Sequence, residues 1–337
     1  MATSLLDLPL DVLDAIAGHP VLKSKDHANL ARTCTALRRI VRFTRLCFPP
    51  MTGHHGVHFS IRRLAAALRC ATARNPQGGI VLEEDDATFC RSFTDEDLDL
   101  LSAVSPDLFD RVERIIFHKV AWDGCRCTPT CMLRVHENLP KCTLEIRDIM
   151  MSTYANWSAL AKAHGSRRFL FHNVTLHGSA RTIAAKLADV REPMHLQTLT
   201  IDVRVSEYIE VVTEDVVEAV RACCMTANTL IVNAGRGVVA SPLSAAIGRL
   251  ARRTLIIRSA GDMGIIASVL RAPRTVTRIE ISAEAGAPAV KILGVELWNA
   301  RGRGPALEAA CLPAGTENDV SMAVAIKSGL VRSCVWT

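Results

Sequence analysis

The chain reads as an α/β protein, with a small helical module at its front followed by a solenoid of repeating strand–helix units. Three observations predict this. Seven short apolar-x-apolar cores recur between residues 115 and 281, and helix-like stretches separate most of them. The interior also has few large rings to build with, since 49% of the residues are hydrophobic but only 4% are aromatic. A core of Leu, Ile, Val and Ala suits repetitive α/β packing better than an aromatic-rich barrel. At 337 residues the chain has room for a small module plus a larger one, with enough apolar content to bury a core.

The front module runs from Leu5 to Val41. Leu8-Pro9 opens a helix, where a proline is tolerated because its missing N–H would have had no partner there. Val12, Leu13 and Ile16 place three apolar side chains on one helical face, and Asp7, Asp11 and Asp14 crowd the positive end of the helix dipole. Gly18-His19-Pro20 ends this helix. Ser24 is the expected N-cap of a second, in which Leu30, Cys34, Leu37 and Val41 repeat at helical spacing beside Arg38, Arg39 and Arg42.

Leu8-Pro9-x-Asp11-Val12-Leu13-x-x-Ile16, followed by Asn29-Leu30-Ala31-x-x-Cys34-x-x-Leu37-Arg38, resembles an F-box. In that family the motif docks onto the small Skp-type adaptor of cullin-RING ubiquitin ligases. The resemblance therefore implies adaptor contacts through Leu8, Pro9, Val12, Leu13, Ile16, Leu30, Cys34 and Leu37. It also implies a substrate-receptor role for the residues C-terminal to the module, with no catalysis and no cofactor of its own. The segment between Ile16 and Leu30 is longer than usual, and His27 stands where a leucine commonly follows the aspartate. The plainer reading is an amphipathic hairpin whose leucines close a domain's own core.

Residues 47–110 read as a linker and helical lead-in. Phe48-Pro49-Pro50 breaks the chain, and His54-His55-Gly56-Val57-His58 has no cysteine or carboxylate beside it to complete a tetrahedral metal site, so it reads as a polar linker. Ile61, Leu64, Leu68 and Ala71 share one face of an amphipathic helix. Ile80-Val81-Leu82 is a strand candidate. Glu83 to Asp86 and Asp95 to Asp99 are acidic but lack calcium-loop spacing, and the second run is the start of a helix carrying Leu98, Leu100 and Leu101.

The period begins at Val112. The cores are Ile115-x-Phe117, Cys142-x-Leu144, Phe169-x-Phe171, Leu199-x-Ile201, Leu230-x-Val232, Leu255-x-Ile257 and Ile279-x-Ile281, spaced 27, 27, 30, 31, 25 and 24 residues apart. Val112/Ile115/Phe117, Leu196/Leu199/Ile201 and Val276/Ile279/Ile281 carry a fuller apolar-x-x-apolar-x-apolar form. Helices are expected at Trp157 to His164, Ala180 to Val190, Asp215 to Cys224, Leu243 to Leu250 and Ile265 to Leu270. One strand and one helix in each such unit resembles irregular leucine-rich repeats, which stack into a horseshoe because no unit buries its apolar face alone.

The family's asparagine or cysteine ladder is missing, its positions taken by Val120, Arg147, Val174, Arg204, Gly235, Ala260 and Glu284. A doubly wound sheet or small barrel would give a similar rhythm. One column favours the solenoid. A polar residue stands just past each core, at His118, Glu145, His172, Asp202, Asn233, Arg258 and Ser282. Alternate strand residues face opposite ways, so this column is expected on an exposed face, where it would touch a protein target or simply meet solvent. A parallel sheet buried on both faces would not tolerate it. Residues 111–300 are thus the expected repeat region and 301–337 a cap or tail, with Ala323 to Ile326 and Leu330 closing the stack.

Two stretches hold chemistry-bearing residues outside this scheme. Cys125-x-Cys127-x-x-x-Cys131, with His136 and Cys142, collects soft ligands in a turn-rich loop, but its spacing matches no common zinc finger and free thiols are expected. Leu230 to Ile247 looks like the strand–turn–helix around the substrate arginine of D-2-hydroxyacid dehydrogenases, with Arg236 in that place. The Gly-x-Gly-x-x-Gly turn that would cradle the cofactor is absent upstream, and Gly235 and Gly237 read as turn formers. A net charge of +6 from dispersed arginines, without interleaved aromatics, argues against a nucleic-acid groove. The acidic start lacks the basic region of a signal peptide, no uncharged run is long enough to cross a bilayer, and the 12 cysteines suit small buried hydrophobes. A cytoplasmic or nuclear protein without membrane or nucleic-acid partners is expected.

Overall fold

A computed structural model of the chain describes residues 43–48, 68–69, 79–84, 91–104, 106–122, 134–135, 137–139, 141–151, 164, 169–203, 214–234, 246–259, 264–271 and 275–337. The front module from Leu5 to Val41, with its eight expected adaptor-binding residues, lies outside them. So do Cys125, Cys127, Cys131, His136 and Arg236. The described residues fall into two compact units. The first takes those up to Val120 together with Pro129–Arg147 and Arg168–Leu170, and the second takes the rest.

In the first unit, β1 (Phe43–Phe48) and β2 (Gly79–Glu84) pair in parallel, and β2 pairs in parallel with β4 (Val112–Trp122), Leu82 standing opposite Ile115. A short β3 (Arg91–Phe93) also pairs with β4. The strand expected at Ile80 to Leu82 is present, and Ile80 and Leu82 are fully buried. The acidic run at Asp95 opens α1 (Asp95–Ala103), in line with its pattern. Asp97 is buried there because it caps the helix, accepting hydrogen bonds from the Thr94 N–H and the Thr94 hydroxyl, each at 2.7 Å. That satisfies a donor at the helix start and places negative charge at the dipole's positive end. A one-turn α2 (Pro106–Phe109) leads into β4, and β5 (Thr143–Met151) follows, belonging to this unit as far as Arg147.

In the second unit, β6 (Phe169–Gly178, from Phe171 on), β7 (Met194–Val203), β8 (Met225–Ala234), β9 (Ala251–Ile257), β10 (Arg278–Ile281), β11 (Ala309–Leu312) and β12 (Cys334–Trp336) pair in parallel, in unbroken chain order. Parallel neighbours need a crossover. It is supplied by α3 (Ala180–Ala188), α4 (Glu214–Arg221), α5 (Gly264–Arg271), α6 (Gly286–Asn299) and α7 (Val320–Lys327). The strand order never reverses here, which removes the doubly wound alternative for this unit.

The apolar-x-x-apolar-x-apolar spacing sets the inward face, with one extra residue after Ala251 in β9. Leu196/Leu199/Ile201, Ala227/Leu230/Val232, Ala251/Leu255/Ile257 and Val276/Ile279/Ile281 are none of them more than 4% exposed. Each such leucine or isoleucine contributes about 1.5–3 kcal/mol when taken out of water. The residues between them alternate outward and stay half-exposed or exposed. Helices α3 and α6 pack on β7 and β10 respectively.

Residues 301–337 do not merely cap the stack. They add β11, α7 and β12, which continue the parallel pairing, while Arg301 to Pro305 form the expected loop with Gly302 at a φ of 79°. These two strands, of four and three residues, fall beyond the last of the seven apolar cores, so the repeat reading did not reach them. The helix α6 meets α7 at Gly294, where an added Cβ would stand 2.5 Å from the Met322 nitrogen and the Ser321 carbonyl carbon. Only glycine lets the two helices approach so closely.

Candidate functional site

The expected column is real at its C-terminal end. Leu199, Leu230, Leu255 and Ile279 stand opposite one another in register, as do Ile201, Val232, Ile257 and Ile281. The polar residue that follows each pair, Asp202, Asn233, Arg258 or Ser282, therefore falls on the outward face, half-exposed in three cases and exposed at Arg258. Side-chain hydrogen bonds tie the column along the sheet. Asn233 Nδ2 donates to Asp202 Oδ1 at 3.0 Å, and the Ser282 hydroxyl donates to the Arg258 carbonyl at 2.8 Å.

The strand before them shifts the assignment. In β6 it is Val174 and Leu176 that stand opposite Leu199 and Ile201, not Phe169 and Phe171. The next residue, His177, is opposite Asp202, and its Nδ1 lies 2.7 Å from Asp202 Oδ2. His172 is thus five residues out of the column. In β5, Asn173 Nδ2 donates to Asp148 Oδ1 at 2.8 Å, which sets Asp148 beside Asn173 and Ile149 beside Val174. The matching apolar set is then Ile146/Ile149/Met151, and Cys142 lies just ahead of the strand. Both strands hold two overlapping apolar patterns, and the shorter pattern is not the one that sets the register.

Glu145 is correspondingly not on an open column. It is only 6% exposed, and with Glu83 it anchors a charged cluster in the first unit. Glu83 Oε1 lies 3.1 Å from Arg147 Nη2 and 3.3 Å from His118 Nε2. Glu145 accepts from Arg114 Nη1 at 3.0 Å and stands 3.5 Å from Arg147 Nε. Buried carboxylates need such partners, and each of these two has more than one. Arg114 remains half-exposed, so the cluster presents a guanidinium outward over a neutralised base.

Two of the expected contact residues, His118 and Glu145, belong to this cluster. Asp202, Asn233, Arg258 and Ser282 form the column, and His172 belongs to neither. The spacing of the short cores does not reveal Glu83, Arg114, Arg147 or His177. The fuller spacing does reach His177, because Phe171/Val174/Leu176 repeats Leu196/Leu199/Ile201.

Burial shifts two of the thiols. It pushes the Cys142 thiol up to about 12 and the Cys223 thiol up to about 11. In the absence of a bound metal such a thiol stays protonated at neutral pH and is a poor nucleophile. Among the described residues, no group of three or more His, Cys, Asp or Glu is placed to hold a metal ion. His177 and Asp202 have the orientation of an imidazole held by a carboxylate, but among the described residues His177 Nε2 has no hydrogen-bond partner to activate. The column offers binding groups on a rigid sheet.

Fold and site together define a βα-repeat protein with one apolar, helix-covered sheet face and one polar, outward face. The chain matches no protein-family model and no curated protein. No helix among the described residues is long and apolar enough to cross a membrane.

Proposed function

We propose that the chain is the substrate-recognition subunit of a Skp–cullin–F-box type ubiquitin ligase. Its N-terminal helices would hold the adaptor, and its repeat region would hold a protein target. The observation that carries target binding is the outward face of β7 to β10, where Asp202, Asn233, Arg258 and Ser282 follow one another across the C-terminal ends of four neighbouring parallel strands. Such a face on regular strands is pre-organised, so little side-chain ordering opposes a partner that docks on it. Support for the adaptor half is the pattern Leu8-Pro9-x-Asp11-Val12-Leu13-x-x-Ile16. The protein would do no chemistry itself and would act by raising the target's effective concentration at the ligase. The repeat region would be leucine-rich-repeat-like, resting on the spacing of its apolar cores.

Leu8→Ala combined with Pro9→Ala is expected to abolish co-purification of the Skp-type adaptor while leaving the thermal unfolding of the chain unchanged. Adaptor still bound by that variant would refute the reading. The lengthened segment between Ile16 and Leu30 motivates a second reading, a repeat scaffold that binds a protein without any ligase. Wild-type chain that captures no purified adaptor would favour it.

A further inference from the structure

From the bulge in β9 we infer an oxyanion-binding site at the leading ends of β7, β8 and β9, suited to a phosphate group. In the pairing of β8 with β9, Ala227 stands opposite Ala251, but the next registered pair is Thr229 with Thr254. Two steps along β8 thus match three along β9, so β9 carries one extra residue. The extra residue leaves two consecutive arginines, Arg252 and Arg253, both exposed, where regular alternation would turn one of them inward. Bulges are uncommon in parallel pairs and serve to re-aim side chains, often beside functional sites.

Arg252 lines an open depression with His195, Leu196, Gln197, Thr226 and Asn228. The depression holds about 220 Å³, below the range of about 300–1,000 Å³ typical of drug-sized ligands and suited to a single small group. Its lining has no carboxylate. It offers a guanidinium, two amides, a hydroxyl and an imidazole, and His195 Nδ1 already lies 2.5 Å from Thr226 Oγ1, which orients that pair. Neither Arg252 nor Arg253 has an ion-pair partner among the described residues, in contrast to Arg114, Arg147, Arg221 and Arg271. An unpaired planar fork amid neutral donors matches the oxygens of a phosphate, which takes two parallel N–H bonds from arginine. The phosphate reaches the site either as a free ion or small metabolite, or on a phosphorylated residue of a protein partner. The site does not depend on the ligase reading, since it shares no residue with the adaptor motif.

Titration calorimetry of the full chain with inorganic phosphate, and separately with a short phosphoserine peptide and its unphosphorylated twin, tests this. Saturable binding of phosphate or of the phosphopeptide is expected, lost at least tenfold in Arg252→Gln and in Asn228→Asp, partly kept in Arg252→Lys, and unchanged in Arg301→Gln. Phosphate alone binding marks a small-ion site, and a phosphopeptide preferred tenfold over phosphate marks a protein-borne group. No saturable binding to either, equal binding of the unphosphorylated peptide, or full binding by a folded Arg252→Gln chain would overturn the site. Adaptor capture by the same variants is expected to be unaltered.

Discussion

Lys186 lies buried on α3 with its amine 3.2 Å from the Met151 carbonyl, and burial lowers its pKa from 10.5 to about 8. Between those values the unfolded chain holds a proton that the folded chain has released. Stability from this group therefore rises with pH from 8 to 10.5, by at most about 1.4 kcal/mol per unit. The buried thiols act in the opposite sense. Cys142 and Cys223, raised from 9.0 to about 12 and about 11, keep protons that the unfolded chain loses, so stability falls as pH rises above 9. Urea unfolding across this range is expected to show a rise from pH 8 to 9 and a turn downward beyond it. Lys186→Met should remove the rise and Cys142→Ala should lessen the fall. A wild-type profile that is flat between pH 8 and 9 would contradict the assignment. None of this was legible in the sequence, because a lysine in Ala-Ala-Lys-Leu-Ala reads as a solvated helix position until the neighbouring strand is in place.

At the scale of the element, the strands carry opposite meanings at adjacent residues. Leu230 is fully buried and Ile231 beside it is half-exposed. Leu230→Ala is expected to cost about 2–5 kcal/mol through lost burial and the cavity left behind. Ile231→Thr, on the outward face, should stay within about 1 kcal/mol. Midpoints of urea unfolding measure both, and an equal loss in the two would mean that both sheet faces are packed. The strands β7 to β10 were legible because their spacing admits only one register with leucine or isoleucine inside. In β5 and β6 it was not unique: Phe169, Phe171, Val174 and Leu176 are all buried, and only pairing with β7 chooses among them. A slip of that kind moves every polar assignment with it, which is why His177, and not His172, faces Asp202.

For the molecule as a whole, the second unit is a row of units each bonded to its sequence neighbours, so stability should be greatest where a strand is paired on both sides over its full length. Amide exchange is expected to be slowest in β7, β8 and β9. It should be fastest at β12, which has three residues and pairs with β11 alone among the described strands. Equal protection across the sheet would argue for all-or-none unfolding of the unit instead. Local pattern alone was enough to read the alternation of strand and helix, the inward residues of β7 to β10 and the polar column from Asp202 to Ser282. Periodicity is a local property, written in every unit. The register of β5 and β6, the burial of Glu145 against Arg114 and Arg147, the close approach at Gly294, and the extra residue that turns Arg252 and Arg253 outward together were set by the packed fold. Each of these depends on which segment lies alongside, a matter of long-range pairing that no single stretch of the chain encodes.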